Sequence, residues 1–224
     1  MYWILFVGIA LVSYLVQSNL KRKMEKYSKV PVASGMTGAE VAQKMLRDNG
    51  IVDVKVQPHE GWLTDHYDPT AKTVNLSRDV FYSTSVASAA VAAHECGHAV
   101  QHARAYSFLK LRSALVPAVQ FTSNIVGWVL LGGILLVNVF PALLFVGILM
   151  FALSTLFSFV TLPVEIDASR RASQWLQGAG ITSRSEHTMA IDALKSAAYT
   201  YVVAALASLA TLVYYVAVYM SRRE

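Results

Sequence analysis

Three long stretches of the chain contain no Asp, Glu, Lys or Arg: residues 1–20, 113–164 and 196–221. A transmembrane helix needs about 20 mostly apolar residues, so the first and last stretches each fit one crossing. The middle stretch would be about 78 Å long as a helix, enough for two crossings joined by a turn at Asn138–Pro141. The pattern therefore predicts four transmembrane helices, near 2–18, 115–137, 140–161 and 197–220.

The polar segment after the first predicted span carries the signals of a short helix. Thr37 can cap the start of this helix, and Glu40, three residues on, completes a capping box. The helix would run from Gly38 to about Asn49, with Gly50 as its C-cap. This segment is therefore expected to fold rather than to act as a linker.

Two short β-strands follow in the same segment. Residues 51–56 alternate between apolar and polar, residues 73–76 form a second run, and the pattern turns helical after Ser77. The predicted fold class is mainly α and integral to the membrane, with four transmembrane helices plus a small α+β unit at the cytoplasmic face. The predicted parts are a transmembrane helix (1–20), a polar segment (21–114), a transmembrane hairpin (115–161), a second polar segment (162–196) and a last transmembrane helix (197–220).

The second polar segment predicts two helices around a glycine turn. Pro163 would start the first helix, over 164–176, and the turn would lie at 178–180. Ser183 or Ser185 would cap the next helix.

Composition agrees with a membrane protein. Hydrophobic residues make up 55% of the chain and charged residues 15%, against about 25% charged residues in a soluble domain. A soluble globule and a disordered chain are both excluded. A single cysteine excludes a disulfide framework and a zinc site built from several cysteines.

The basic residues set the predicted orientation in the membrane. The two polar segments hold 17 of the 19 Lys and Arg residues, so the positive-inside rule places both in the cytoplasm and both termini outside. Arg222 and Arg223 argue weakly against this arrangement. Lys21, Arg22 and Lys23 follow the first apolar run rather than precede it, which is typical of an uncleaved anchor and not of a signal peptide. Beside a span, this basic cluster fits anionic lipid better than nucleic acid.

One motif carries chemistry: His94-Glu95-Cys96-Gly97-His98, which is H-E-x-x-H. On a helix, residues four apart share a face, so His94 and His98 can present both imidazoles to one zinc ion. Glu95 lies close to that metal without filling its coordination, as a general base for a zinc-bound water requires. Cys96 is interpreted as a small helix residue, with a redox role left open.

A catalytic zinc usually takes a third protein ligand. Gln101 and Arg104 stand where a metzincin needs Gly and His, so that class is excluded. His102, one turn beyond His98, is assigned a supporting role. Glu165 is the predicted third ligand because it is the first charge after the long apolar stretch; the alternative is that it marks the end of a span, facing a helix dipole. Asp167 would hold a histidine ligand or pair with neighbouring arginines.

Hydrolysis of a peptide also needs a group that stabilises the oxyanion. Tyr201 and His66 are the predicted candidates, ahead of Tyr67, His187 and Tyr199. The strand at 73–76, if it lies at a sheet edge, could bind substrate backbone by strand addition. Gly127, Gly132 and Gly133 would permit close packing of spans, within or between subunits.

Several further segments occur along the chain in an order typical of one protein family. These segments are Leu63–Pro69, Val74–Ser77, Ala92–Gln101, Leu162–Ala172 and Ala197–Ala204. On them, the chain resembles the YugP-type neutral zinc metallopeptidases of bacteria, and its architecture is more distantly similar to the membrane gluzincins HtpX and CAAX prenyl protease. One departure from the HtpX pattern is Ser169, which stands where those proteins have Asp, with Asp167 as the proposed replacement.

The resemblance implies zinc-dependent hydrolysis of peptide bonds at the membrane. The expected enzyme is a multi-pass endopeptidase of the plasma membrane whose active site faces the cytoplasm and whose substrates are membrane-associated proteins or peptides. Two alternatives stay open: a site-2-type intramembrane protease, with residues 80–103 as a fifth span, and a non-catalytic scaffold of a larger protease. Membership of a quality-control complex and a homo-oligomer are also left open.

Overall fold

The computed structural model describes residues 2–61 and 64–221. Its elements group into two compact units, residues 1–109 with 164–200 and residues 110–163 with 201–224. Within the described ranges the elements in chain order are α1 (Tyr2–Tyr27), α2 (Gly38–Asp48), β1 (Lys55–His59), β2 (His66–Asp68), β3 (Thr73–Ser77), α3 (Arg78–Phe81), α4 (Val86–Ala103), α5 (Ser107–Leu135), α6 (Pro141–Gly178) and α7 (Arg184–Met220).

The core of the first unit forms around α4, which packs against α2. The predicted capping box at the start of α2 is present: Glu40 N–H donates to Thr37 Oγ1 at 3.3 Å, and Thr37 N–H donates to Glu40 Oε2 at 2.8 Å. The alanine-rich part of α4 is buried in the same core. Small side chains on α4 let its neighbours approach closely, and this close packing positions the candidate site described below.

The sheet of this unit has the order β1-β3-β2, with β1 parallel and β2 antiparallel to β3. The prediction that the strand at 73–76 could form a sheet edge is wrong, because β3 is the central strand and is buried along its whole length. The predicted strand at 51–56 shifts to Lys55–His59, where the backbone pairs with β3. Sequence reasoning missed β2 because its three residues are too short to show an alternating pattern.

One predicted boundary in the second half of the chain is wrong. Pro163 lies inside α6 and does not start a helix, because a proline removes one hydrogen bond of the ladder but need not end a helix in a membrane protein. The helix predicted to start at Ser183 or Ser185 is present as the beginning of α7. Of the two predicted caps, Ser183 is the one at the start of α7: Glu186 N–H donates to Ser183 Oγ at 3.5 Å, and Ser183 N–H donates to Glu186 Oε2 at 2.8 Å.

The second unit contains the predicted hairpin of α5 and α6. At the tip of the hairpin, a Cβ added to Gly133 would lie 2.6 Å from Leu144 Cα, so the two helices touch through the glycine backbone. Among the described residues, four helices are long and apolar enough to cross a membrane: α1, α5, α6 and α7. This confirms the number of predicted spans, although α5 begins at Ser107 rather than near 115.

A close helix contact in the first unit lies between α4 and α6. A Cβ added to Gly97 would lie 2.6 Å from Ala168 O and 3.1 Å from Ala168 Cα. Both atoms belong to the α6 backbone, which cannot move aside as a flexible side chain would. Position 97 therefore accepts only glycine without displacing one helix from the other.

We expect Gly97→Ala to destabilise the protein by about 1–3 kcal/mol, the usual cost of overpacking a core. The measurement is the thermal unfolding midpoint of the purified protein in detergent. Gly178→Ala is the matched control, because a Cβ at Gly178 meets no atom within 4 Å. Equal midpoints for the two variants would contradict the close α4–α6 contact.

Candidate metal centre

Three predicted ligands meet where α4 packs against α6. His94 Nε2 lies 3.3 Å from Glu165 Oε2, and His98 Nε2 lies 3.6 Å from the same oxygen. One ligand atom from each residue lies within 4.8 Å of the other two. The Glu165 side chain is almost fully buried and the two histidine side chains are largely buried, so the three groups face one another away from the surface.

These separations fit a zinc ion. Zinc binds imidazole nitrogen and carboxylate oxygen at about 2.0–2.2 Å in a tetrahedral arrangement, which places neighbouring ligand atoms about 3.3–3.5 Å apart. Two imidazoles and one carboxylate are a ligand set of catalytic zinc, which keeps its fourth position open. The donor atoms present therefore suit this metal in both chemistry and spacing.

The backbone explains why the three side chains converge. His94 and His98 are one turn apart on α4 and so share a face. On α6, Glu165 and Ala168 are three residues apart and also share a face. Because Gly97 rests on the Ala168 backbone, the face of α4 that carries the imidazoles lies directly against the face of α6 that carries the carboxylate.

Gln101 fixes the orientation of the His98 ring. Its Nε2 donates to Val164 O at 2.8 Å and to Asp167 Oδ2 at 2.9 Å, so its Oε1 is left facing His98 Nδ1 at 3.1 Å. An amide oxygen only accepts, so the proton of a neutral His98 lies on Nδ1. The lone pair on Nε2 is then directed toward Glu165 and is available to a metal.

Ser169 plays the corresponding part for His94, with its Oγ 3.1 Å from His94 Nδ1. Asp167, the residue predicted to replace an aspartate at this position, reaches the histidines only through Gln101. Its carboxylate also accepts hydrogen bonds from Arg170 and Arg171 at 2.8 and 2.6 Å. A serine hydroxyl, rather than a carboxylate, therefore supports the first histidine in this chain.

Sequence reasoning missed the roles of Gln101 and Ser169. For Gln101 a signal exists in the sequence, because it lies three residues from His98 on one helix and so shares its face. For Ser169 the sequence shows only that an aspartate is missing. Its contact with His94 joins two residues 75 positions apart in the chain, and local periodicity carries no information about such pairs.

Glu95 is buried beside this group, with 8% of its surface exposed. Within residues 2–61 and 64–221, no side chain or backbone group donates a hydrogen bond to its carboxylate.

The charge of Glu95 acts on two neighbouring groups. Burial lowers the pKa of His98, but the hydrogen bond to Glu165 and the charge of Glu95 together raise it. Burial raises the pKa of Asp65, and the charge of Glu95 adds to that rise against the hydrogen bonds from Ser77. The Glu95 carboxylate is thus close enough for its charge to act on both His98 and Asp65.

The other predicted residues lie in different surroundings. His102 Nδ1 is 2.8 Å from the Tyr67 hydroxyl, so this histidine joins α4 to β2. Both ring nitrogens of His66 are engaged, with Thr64 O at 2.7 Å and Asn75 Nδ2 at 3.1 Å. Tyr201 belongs to the second unit. The catalytic roles of His66 and Tyr201 stay predictions.

The Cys96 thiol is fully buried against α2, and burial raises its pKa, which disfavours a redox role.

Comparison with known proteins agrees with this geometry. The family model described as "Putative neutral zinc metallopeptidase" matches residues 2–220. The chain belongs to this family. It is also 43% identical over 212 residues to "Putative membrane protease YugP" of Bacillus subtilis (strain 168), which covers 95% of this chain and 93% of that protein. The comparison with solved structures gave no match.

The chain thus combines the sequence of a zinc metallopeptidase family with four helices apolar enough to cross a membrane. These two findings indicate a multi-pass membrane protein. The family description names zinc, and His94, His98 and Glu165 are the residues that the fold brings together as a possible metal site. The prediction of the family from sequence motifs is confirmed.

We expect Gln101→Leu to weaken zinc binding about 10- to 100-fold, because residues that orient a histidine ligand typically contribute that much. The measurement is competition for zinc against a fluorescent chelator. Gln177→Leu, an exposed position on α6 in the same unit, is the matched control. Zinc affinities that agree within error for the two variants would show that Gln101 does not orient His98.

Proposed function

We propose that this protein is a membrane-bound zinc endopeptidase that cleaves membrane-associated proteins or peptides at the cytoplasmic surface. The observation that carries the proposal is the convergence of two imidazole nitrogens on one buried carboxylate oxygen, beside a second carboxylate that accepts no hydrogen bond within the described chain. The first three groups form a metal site and the fourth a base. Together they supply the parts that metal-assisted hydrolysis requires.

His94, His98 and Glu165 would hold the ion, and Ser169 and Gln101 would keep the imidazoles in their binding orientation. A zinc ion bound there acts as a Lewis acid and lowers the pKa of a coordinated water toward 7. Glu95 would take the proton of the attacking water and pass it to the departing amine, which is general base and then general acid catalysis. Its buried position beside the two histidines supports this role.

The oxyanion needs a further donor, and we retain Tyr201 and His66 as the candidates. His66 would have to exchange a hydrogen bond, since Nδ1 faces Thr64 O and Nε2 faces Asn75. Tyr201 keeps its side chain partly exposed on α7. Neither assignment affects the proposed roles of the ligands or of Glu95.

The cytoplasmic placement rests on charge. The segments that contain α2 to α4 and the start of α7 hold most of the Lys and Arg residues, and such segments are retained in the cytoplasm. Substrates would then be proteins or peptides of the plasma membrane that expose a cleavable segment near the inner surface. The relative named as a membrane protease supports this substrate class.

Of the two alternatives, an intramembrane protease finds less support in the fold. It would require α4 to cross the bilayer, whereas α4 is packed against α2 and the sheet and is not among the four candidate spans of the described chain. A non-catalytic scaffold would have no need for a buried carboxylate beside a metal site. The following test separates an enzyme from a scaffold.

We expect Glu95→Gln to retain about one zinc per chain and to lower kcat/KM by about 10²–10⁴-fold, because a general base contributes that much. Glu165→Gln should instead lose the metal. Zinc is measured by mass spectrometry, and cleavage with casein or a fluorogenic peptide in detergent.

Asp79→Asn is the matched control, because it makes the same acid-to-amide change at an exposed position of the same unit. Unaltered cleavage by the Glu95→Gln protein would exclude the proposed base and favour a scaffold.

We expect Ala71→Cys to react with a membrane-impermeant maleimide only after cells are opened, and Val139→Cys to react in intact cells. Both positions are exposed, the first between β2 and β3 and the second in the turn between α5 and α6. Cys96 is fully buried and gives no background. The reverse labelling pattern would place the candidate site outside the cytoplasm.

A further inference from the structure

One face of α5 carries polar side chains at membrane depth. Gln120, Ser123 and Asn124 lie in the stretch without charged residues, and all three side chains are exposed in the structure. An amide in hydrocarbon loses its hydrogen bonds to water, and polar residues within spans accordingly face protein or a water-filled cavity. The exposure of these three side chains therefore marks a surface that something other than lipid covers.

The same face has room for a partner. At 100° per residue, Gln120, Ser123 and Gly127 fall within about 60° of one another around α5. Gln120 and Ser123 border a groove of about 600 Å³ between α5 and α6. The groove is lined by Val116, Val119, Gln120, Ser123, Asn124 and Phe157.

Gly127 differs from the glycine at the hairpin tip. At Gly133, the backbone of α6 fills the space that a side chain would need. A Cβ added to Gly127 would instead meet no atom within 4 Å. Ser123 and Gly127 form a small-xxx-small pair, the spacing that allows two transmembrane helices to approach closely. The contact inside the hairpin therefore accounts for Gly133 and leaves the Ser123–Gly127 pair available to another helix.

The chemistry of this face indicates which helix packs against it. All copies of the chain insert with the same orientation, so a twofold axis normal to the membrane places each residue of α5 opposite itself. A side-chain amide donates and accepts, and can therefore pair with its own copy. A substrate span need not carry an amide at this depth, whereas a second copy always does.

We propose that the face of α5 formed by Gln120, Ser123, Asn124 and Gly127 is a homodimer interface in the membrane. Ser123 and Gly127 let the two α5 helices approach, and the amides of Gln120 and Asn124 pair across the axis. The interface is independent of the proposed catalytic activity.

Cysteine cross-linking in native membranes tests the geometry. Ser123→Cys should form a disulfide-linked dimer on mild oxidation. Ile125→Cys should not, because it lies at nearly the same depth but about 160° around the helix. A Ser123→Cys protein that stays monomeric would overturn the proposal. Equal cross-linking at both positions would reflect random collision and would also overturn it.

The affinity of the dimer tests the chemistry. Two fluorescently labelled pools are mixed in liposomes, and energy transfer is followed as lipid is added. Asn124→Leu and Gln120→Leu should each weaken association about 3- to 30-fold, the range of hydrogen bonds between transmembrane helices. Phe121→Leu, an exposed change on a different face, should leave it unchanged. Zinc content reports that each variant is folded, and unchanged association of both amide variants would refute the interface.

Discussion

The contact between the backbones of α4 and α6 at Gly97 and Ala168 is the constraint on which the candidate site depends. It brings two helices far apart in sequence to a separation that no side chain at position 97 would allow. Only at this separation can Glu165 reach both imidazoles of α4 with one oxygen. A displacement of about 1 Å, the size of an ordinary side-chain adjustment, would exceed the tolerance of a zinc coordination sphere.

The ionisable groups at this contact are buried, and their burial determines how they must be compensated. Three ionisable groups and a fourth carboxylate, Glu95, would be unfavourable together in a dry space unless they are compensated. Gln101 and Ser169 satisfy the outer nitrogens of the two histidines, and Arg170 and Arg171 pair with Asp167 behind them. The carboxylates of Glu165 and Glu95 lie on the inner side of this group, where a divalent cation would balance their charge. The packing of the helices, the orientation of the rings and the affinity for a metal are thus parts of one arrangement.

Much of this architecture could be predicted from the sequence, because its signals are local. Gaps in charge located the apolar helices, and the five-residue motif together with the carboxylate after the longest gap located all three residues that meet in the structure. Helix caps also depend on residues close in sequence, which is why the caps at Thr37 and Ser183 were predicted correctly.

The rest depends on contacts between distant parts of the chain. The central place of β3 follows from pairing with two partners, one of them only three residues long. The helix α6 continues through Pro163 because a helix of a membrane protein tolerates one missing hydrogen bond. The contact of Ser169 with His94 and the chain of Gln101 and Asp167 behind His98 arise only when α4 lies on α6.

X-ray absorption at the zinc edge of the purified protein tests the central claim most directly, because it measures the ligands of the metal itself. We predict four ligands in total, two imidazole nitrogens at about 2.0–2.1 Å and two oxygens at about 2.0–2.2 Å. The oxygens would be those of Glu165 and of one solvent molecule. A sulfur scatterer at about 2.3 Å, a single imidazole, or a protein that holds no zinc would contradict the account.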